Sequence, residues 1–175
     1  MKKKITLILA IIGMITLQSC TVNDNGHEPQ DDKDTISEVF ELKNVNFGVD
    51  GNNQYSIYRK LTPQIYASDV ILIYRLSGTI DNNTPIWQPI PRTLYLTQGE
   101  LDYDFDFSKE DFTIYAGGSY DLTLTPSYLS NQTFRIVIVP ASFSNKSATT
   151  ASLPMDYESV IKRFNIKEST IQKLN

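Results

Sequence analysis

From residue 38 onward, hydrophobic and polar positions alternate with a period of two, interrupted every eight to twelve residues by clusters of Asn, Asp, Gly and Pro. Short antiparallel strands produce that pattern. Glu38 to Val49 reads as a strand, Asp50-Gly51-Asn52-Asn53 as a tight turn, and Gln54 to Leu61 as the returning strand of a hairpin. Val70 to Leu76 and Phe134 to Val139 are almost continuously apolar, as central strands buried on both faces should be, and Pro140 stops the second. Pro85, Pro89 and Pro91 remove ladder donors, so Ile86 to Ile90 can only be a short or edge piece, before Thr93 to Thr97 resumes regular strand. Leu101, Tyr103, Phe105 and Phe107 share one face of the next strand, and Asp102, Asp104 and Asp106 share the other. Phe112 to Ala116 follows, and Gly117-Gly118 is expected to turn the chain into a strand from Tyr120 to Thr125.

Only the C-terminal end changes period. Tyr157, Val160, Ile161 and Phe164 recur at i, i+3, i+4 and i+7 behind Asp156 as N-cap, which predicts a short helix laying one apolar face on an open end or edge of the sheets. The pattern as a whole predicts an all-β fold: an antiparallel β-sandwich, Ig-like or jelly-roll-like, with a short C-terminal helix. The sandwich and its helix span residues 37–165, and residues 166–175 form a tail that either extends the helix or frays.

Composition narrows the chemistry. The ten Tyr and eight Phe suit strands. From residue 41 onward, twelve Lys plus Arg face fourteen Asp plus Glu, a net of −2 with no basic stripe, which argues against nucleic acid. Cys20 is the only cysteine and His27 the only histidine, both outside the expected fold. A disulfide framework, a Cys or His zinc site, a cysteine nucleophile and a histidine-based triad are therefore excluded from the body. There is also no GxGxxG or GxxxxGK[ST] loop, so no nucleotide or other cofactor is expected.

Three candidate features remain. The acidic ladder Asp102, Asp104, Asp106, with Glu110 and Asp111 nearby, fails as an EF-hand loop. Counted from Asp102, Phe107 stands where glycine is needed and Thr113 where a bidentate Glu is needed. A solvated sheet face is the expectation, with a cation site of other geometry or an acidic docking surface as alternatives. Trp87, the only tryptophan, fills the core at a Pro-rich bend or joins Tyr95 or Tyr58 in an aromatic platform for a sugar or peptide. Arg75 and Arg135, inside the two most apolar strands, are read as structural cations that reach an edge or pair with a carboxylate.

The N-terminus carries the address. Lys2, Lys3 and Lys4 precede an apolar run from Ile5 to Leu17, too short to span a membrane, and Leu17-Gln18-Ser19-Cys20 follows. Residues 1–19 resemble a bacterial lipoprotein signal peptide, which implies that Cys20 becomes the acylated first residue of the mature chain. Residues 20–36 then read as the lipidated cysteine and a flexible acidic tether. Asp34-Thr35-Ile36 resembles the O-glycosylation site of Bacteroidota, with Thr35 as acceptor, and Asp24 partly matches that phylum's surface-export signal. With the body motifs IWQPIP (86–91), LDYDFDF (101–107) and FRIVIVPA (134–141), most of the mature chain resembles a family of small Bacteroidota lipoproteins. Some of those relatives carry a dihydrolipoamide dehydrogenase label, which the absence of a dinucleotide fingerprint and a redox cysteine pair does not support. The resemblance brings no site residues with it.

The expected protein is an outer-membrane lipoprotein facing the periplasm or the exterior, a non-enzymatic binding or structural accessory module for an envelope protein or glycan. A carboxylate-dependent glycosidase or other hydrolase is the alternative, because two carboxylates are the one catalytic arrangement its composition leaves.

Overall fold

In the computed structural model, which describes residues 37–81, 83–140 and 156–174, ten strands form two five-stranded sheets. In chain order they are β1 (Glu38–Val45), β2 (Gly48–Val49), β3 (Tyr55–Lys60), β4 (Val70–Ile80), β5 (Thr84–Ile90), β6 (Arg92–Leu96), β7 (Gly99–Phe107), β8 (Asp111–Gly118), β9 (Gln132–Val139) and β10 (Gln172–Leu174). Among the described residues one α-helix, α1 (Tyr157–Arg163), lies between β9 and β10. Sheet A runs β10-β1-β9-β4-β5 and sheet B runs β2-β3-β8-β7-β6. Every pair is antiparallel except β1 with β10, and the fold is an all-β sandwich. Among the described residues no helix is long and apolar enough to cross a membrane. Cys20 and Thr35 lie outside the described residues.

The inward positions of both sheets make one core. Leu42, Ile71, Ile73, Phe134 and Ile136 of sheet A meet Ile57, Leu101, Tyr103, Phe112 and Ile114 of sheet B. Each large apolar side chain buried there contributes about 1.5–3 kcal/mol. A second core lies on the other side of sheet A, where Leu72, Tyr74, Val137 and Val139 receive Tyr157 and Val160 of α1 and Phe164 at its C-terminal end. This corrects the placement of the helix: it covers the outer face of sheet A and not an end or edge of the sandwich. It also explains why β4 and β9 are apolar at successive positions, since each is buried between two layers.

Four further corrections concern shorter stretches of the chain. The first strand ends at Val45, and the chain crosses from sheet A to sheet B before β2 pairs with β3. Phe47 turns into the core at the crossing, with its amide donating to the Leu129 carbonyl at 2.8 Å, and the register shifts between Leu42 and Val45. Gly117 and Gly118 do not turn but end β8, paired with Asp102 and Leu101. A Cβ on Gly118 would stand 2.5 Å from the Glu100 carbonyl oxygen, so close strand approach accounts for that glycine. Residues 122–124 are a 3-10 turn capped by Asp121, whose carboxylate accepts from the Thr123 amide; Leu122 is buried and Leu124 exposed. The tail neither extends the helix nor frays, since Gln172–Leu174 adds β10 to the edge of β1.

Candidate functional surface

The two sheets expose their outer faces differently. On sheet B, alternation sends Asp102, Asp104 and Asp106 of β7 away from the core that holds Leu101 and Tyr103. Phe105 is partly buried, whereas Phe107 at the strand end is 40% exposed, which corrects its expected place in the core. Register then brings neighbours to the ladder. Thr93 lies opposite Asp102, Tyr115 opposite Asp104, and Thr113 opposite Asp106, while Tyr58 lies opposite Thr113 on the far side of β8. Tyr95, paired with Glu100, completes the face.

Hydrogen bonds fix most of these carboxylates. Asp102 Oδ1 accepts from Thr93 Oγ1 at 2.5 Å, Asp106 Oδ2 from the Tyr115 hydroxyl at 3.0 Å, and Asp104 Oδ1 from the Phe105 amide at 2.8 Å. Asp111 accepts from Ser108 Oγ at 2.7 Å and from the Tyr58 hydroxyl at 3.2 Å. Desolvation, followed by the hydrogen bond to Asp111, raises the pKa of Tyr58 above its ordinary value. Among the described residues no three His, Cys, Asp or Glu side chains gather as a metal site. Tyr95 and Tyr58 nonetheless stay 80% and 56% exposed. The surface is an array of carboxylates and phenols able to offer hydrogen bonds and ring faces to a partner.

Trp87 is not part of it. It lies on edge strand β5, where its ring packs 5.6 Å from Tyr157 with Arg135 stacked 4.3 Å over it. The platform of Trp87 with Tyr95 or Tyr58 is therefore not assembled, because the two sides of the pair belong to different sheets.

The grouping that sequence reasoning did not assemble surrounds Arg135. This residue, 9% exposed, sits on the outer face of sheet A. Its Nε donates to Glu41 at 3.1 Å, and its Nη1 donates to Glu168 at 2.6 Å and to the Tyr157 hydroxyl. Tyr157 in turn donates to Glu168 at 2.8 Å. Burial opposes ionisation of Glu168, but the bonds from Tyr157 and Arg135 outweigh it and lower its pKa. Both carboxylates are occupied by the guanidinium, so they do not form a free acid and base. Within the same layer, the Tyr74 hydroxyl and Trp87 Nε1 are buried without a hydrogen-bond partner among the described residues.

Arg75 faces the opposite way, into the space between the sheets, and is 8% exposed. It reaches no carboxylate within ion-pair distance among the described residues. Its Nε donates to Gln132 Oε1 at 2.8 Å, and its guanidinium lies 4.7 Å from the Tyr103 ring centroid and 5.5 Å from that of Tyr128. Burial raises the Tyr103 hydroxyl to about 12, against the opposing charge of Arg75, and that hydroxyl donates to the Tyr128 carbonyl at 2.7 Å. The arginine positions were legible from their apolar surroundings; their partners, scattered from Glu41 to Glu168, were not.

Comparison of the chain with protein-family models, with curated proteins and with solved structures gives no match.

Proposed function

We propose that the chain is a membrane-anchored binding module of the cell envelope. In this reading acylated Cys20 holds it on an outer membrane, and the outer face of sheet B engages an envelope protein or a glycan without catalysing a reaction. The observation that supports it is the difference in cover. The outer face of sheet A lies beneath α1, whereas Tyr58 and Tyr95 remain widely exposed on the outer face of sheet B. Exposed aromatic rings beside fixed hydrogen-bonding groups suit recognition, because their ordering cost is small and their contact area large. No observation among the described residues favours the hydrolase alternative.

The test compares the tagged, lipidated wild-type chain with a Tyr95→Ala/Asp104→Asn variant, both crosslinked on intact cells and applied to glycan arrays. A specific protein or glycan bound by wild type and lost by the variant supports the reading. A specific partner retained in full by the variant, or none at all, overturns it.

A further inference from the structure

We propose that a cleft at the edge of the sandwich binds a single apolar chain ending in a carboxylate, with Arg59 as the headgroup anchor. The cleft lies between β1 and β10 of sheet A and β3 of sheet B and encloses about 390 Å³. That volume falls within the roughly 300–1,000 Å³ of small-ligand sites. Its floor is apolar, made by Phe40, Leu42 and Ile138 on one side and Leu61 and Phe112 on the other. All but Phe40 are buried. One wall is β10, through Gln172 and Leu174.

The rim supplies the selectivity. Arg59 shares the inward parity of Ile57 on β3, is half-buried, and donates from Nη1 to the Tyr58 carbonyl at 2.9 Å. Lys60 lies beside it, and Glu38 lines the same opening from β1. Among the described residues no carboxylate comes within ion-pair distance of Arg59 or Lys60. The rim thus holds two cations against one carboxylate, beside an apolar floor. A fatty carboxylate completes both parts: its chain displaces water from half-buried Phe40 and exposed Pro63 and Leu174 over the buried floor, and its headgroup pairs with a guanidinium that has no anion among the described residues. None of the ladder aspartates lines this cleft, so its failure would leave the sheet B reading standing.

Calorimetric titration of the full chain with octanoate, octylammonium and 1-octanol tests the proposal. Octanoate should bind at least tenfold more tightly than the other two, and hexanoate about sixteenfold more weakly than octanoate, at about fourfold per methylene. Arg59→Gln should weaken octanoate about tenfold, and Arg59→Glu should reverse the preference toward octylammonium. Lys60→Gln, at an exposed position, should weaken octanoate to a smaller extent, and Glu38→Gln should strengthen it, so the test does not depend on one half-buried variant. Absence of octanoate binding, equal affinity for the three headgroups, or unchanged octanoate affinity in folded Arg59→Gln would overturn it.

Discussion

On the outer face of sheet A, Glu41 and Glu168 converge on Arg135 beside Trp87 and Tyr157, and α1 lies over the layer. On the outer face of sheet B, Asp102, Asp104 and Asp106 stand among Tyr58, Tyr95 and Tyr115 without an arginine between them. Both faces combine carboxylates with aromatic rings, so residue type does not distinguish them. What does is a central cation and the apolar positions around it. Arg135 neutralises two acids from distant segments, and Val137 and Val139 beside it give Val160 and Phe164 a surface to bury against. Sheet B has threonine, tyrosine and aspartate at the equivalent outward positions, which satisfy one another locally and present no aliphatic surface like that of Val137 and Val139 to a covering layer.

Breaking the covered face should therefore cost far more than altering the open one. Arg135→Met leaves Glu41 buried without its cation, and loss of one partner of a buried pair costs about 3–5 kcal/mol. Urea unfolding followed by Trp87 emission should report that loss, since Arg135 stacks on the only tryptophan. Pairing the change with Glu41→Leu should recover most of it, because well-packed apolar replacements of buried ion pairs are often neutral or better. A single variant as stable as wild type would mean that the guanidinium does not hold this face together.

The sequence made β3 to β9, the short or edge character of the Pro-rich segment and the capped helix legible, because each rests on local chemistry. Alternation exposes Asp102, Asp104 and Asp106 on one face, and Asp156 caps α1 through the Ser159 amide as its position implies. What it did not show depends on distance along the chain. Glu41, Arg135, Tyr157 and Glu168 meet only after β1, β9, α1 and the C-terminal segment are in place. Sheet switching was equally hidden, since a period of two continues through Val45 to Val49 whether or not the chain changes sheets. Gly117-Gly118 looked like a turn because glycine pairs commonly are turns. Its reason here is the approach of Glu100 from the neighbouring strand, which no local pattern encodes.

Glu168 offers a milder way to loosen the covered face. Its carboxyl is held below the ordinary glutamate value by Tyr157 and Arg135 despite the opposing effect of burial. The folded state thus keeps Glu168 ionised at pH values where the unfolded chain already binds the proton. Its contribution is complete above the ordinary value, falls as pH drops, and is gone below the depressed value. Because the Glu168 side chain is 53% exposed, the effect should be about 1 kcal/mol or less. The protection of the Phe40 to Leu42 amides, where β10 pairs, taken as their exchange rate relative to the intrinsic rate at the same pH, should fall through that acid window in wild type. In Glu168→Gln that protection should already be reduced at neutral pH and insensitive to the same change. Tyr74→Phe probes the same layer in the other direction: it removes a buried hydroxyl without a described partner and should raise stability by up to about 1 kcal/mol. A loss of stability would show that the hydroxyl does have a partner in the folded protein.

The smallest expected effect on stability is also the one that separates the two faces by purpose. Tyr95→Ala and Asp104→Asn alter an exposed ring and an exposed carboxylate that accepts from the adjacent Phe105 amide, so each should shift unfolding by about 0.5 kcal/mol or less. Neither position supports a covering layer, and neither is needed to keep β6, β7 and β8 paired through their backbones. A face maintained for stability would lose stability when its side chains are removed, as the outer face of sheet A should. A face kept for recognition should tolerate the same changes in urea and fail only with its partner present. If the Tyr95→Ala/Asp104→Asn chain unfolds several kcal/mol earlier than wild type, the outer face of sheet B is structural after all, and the contrast with sheet A disappears. If it unfolds with wild type and loses the partner, the residues that contribute least to holding the sandwich together are the ones that act.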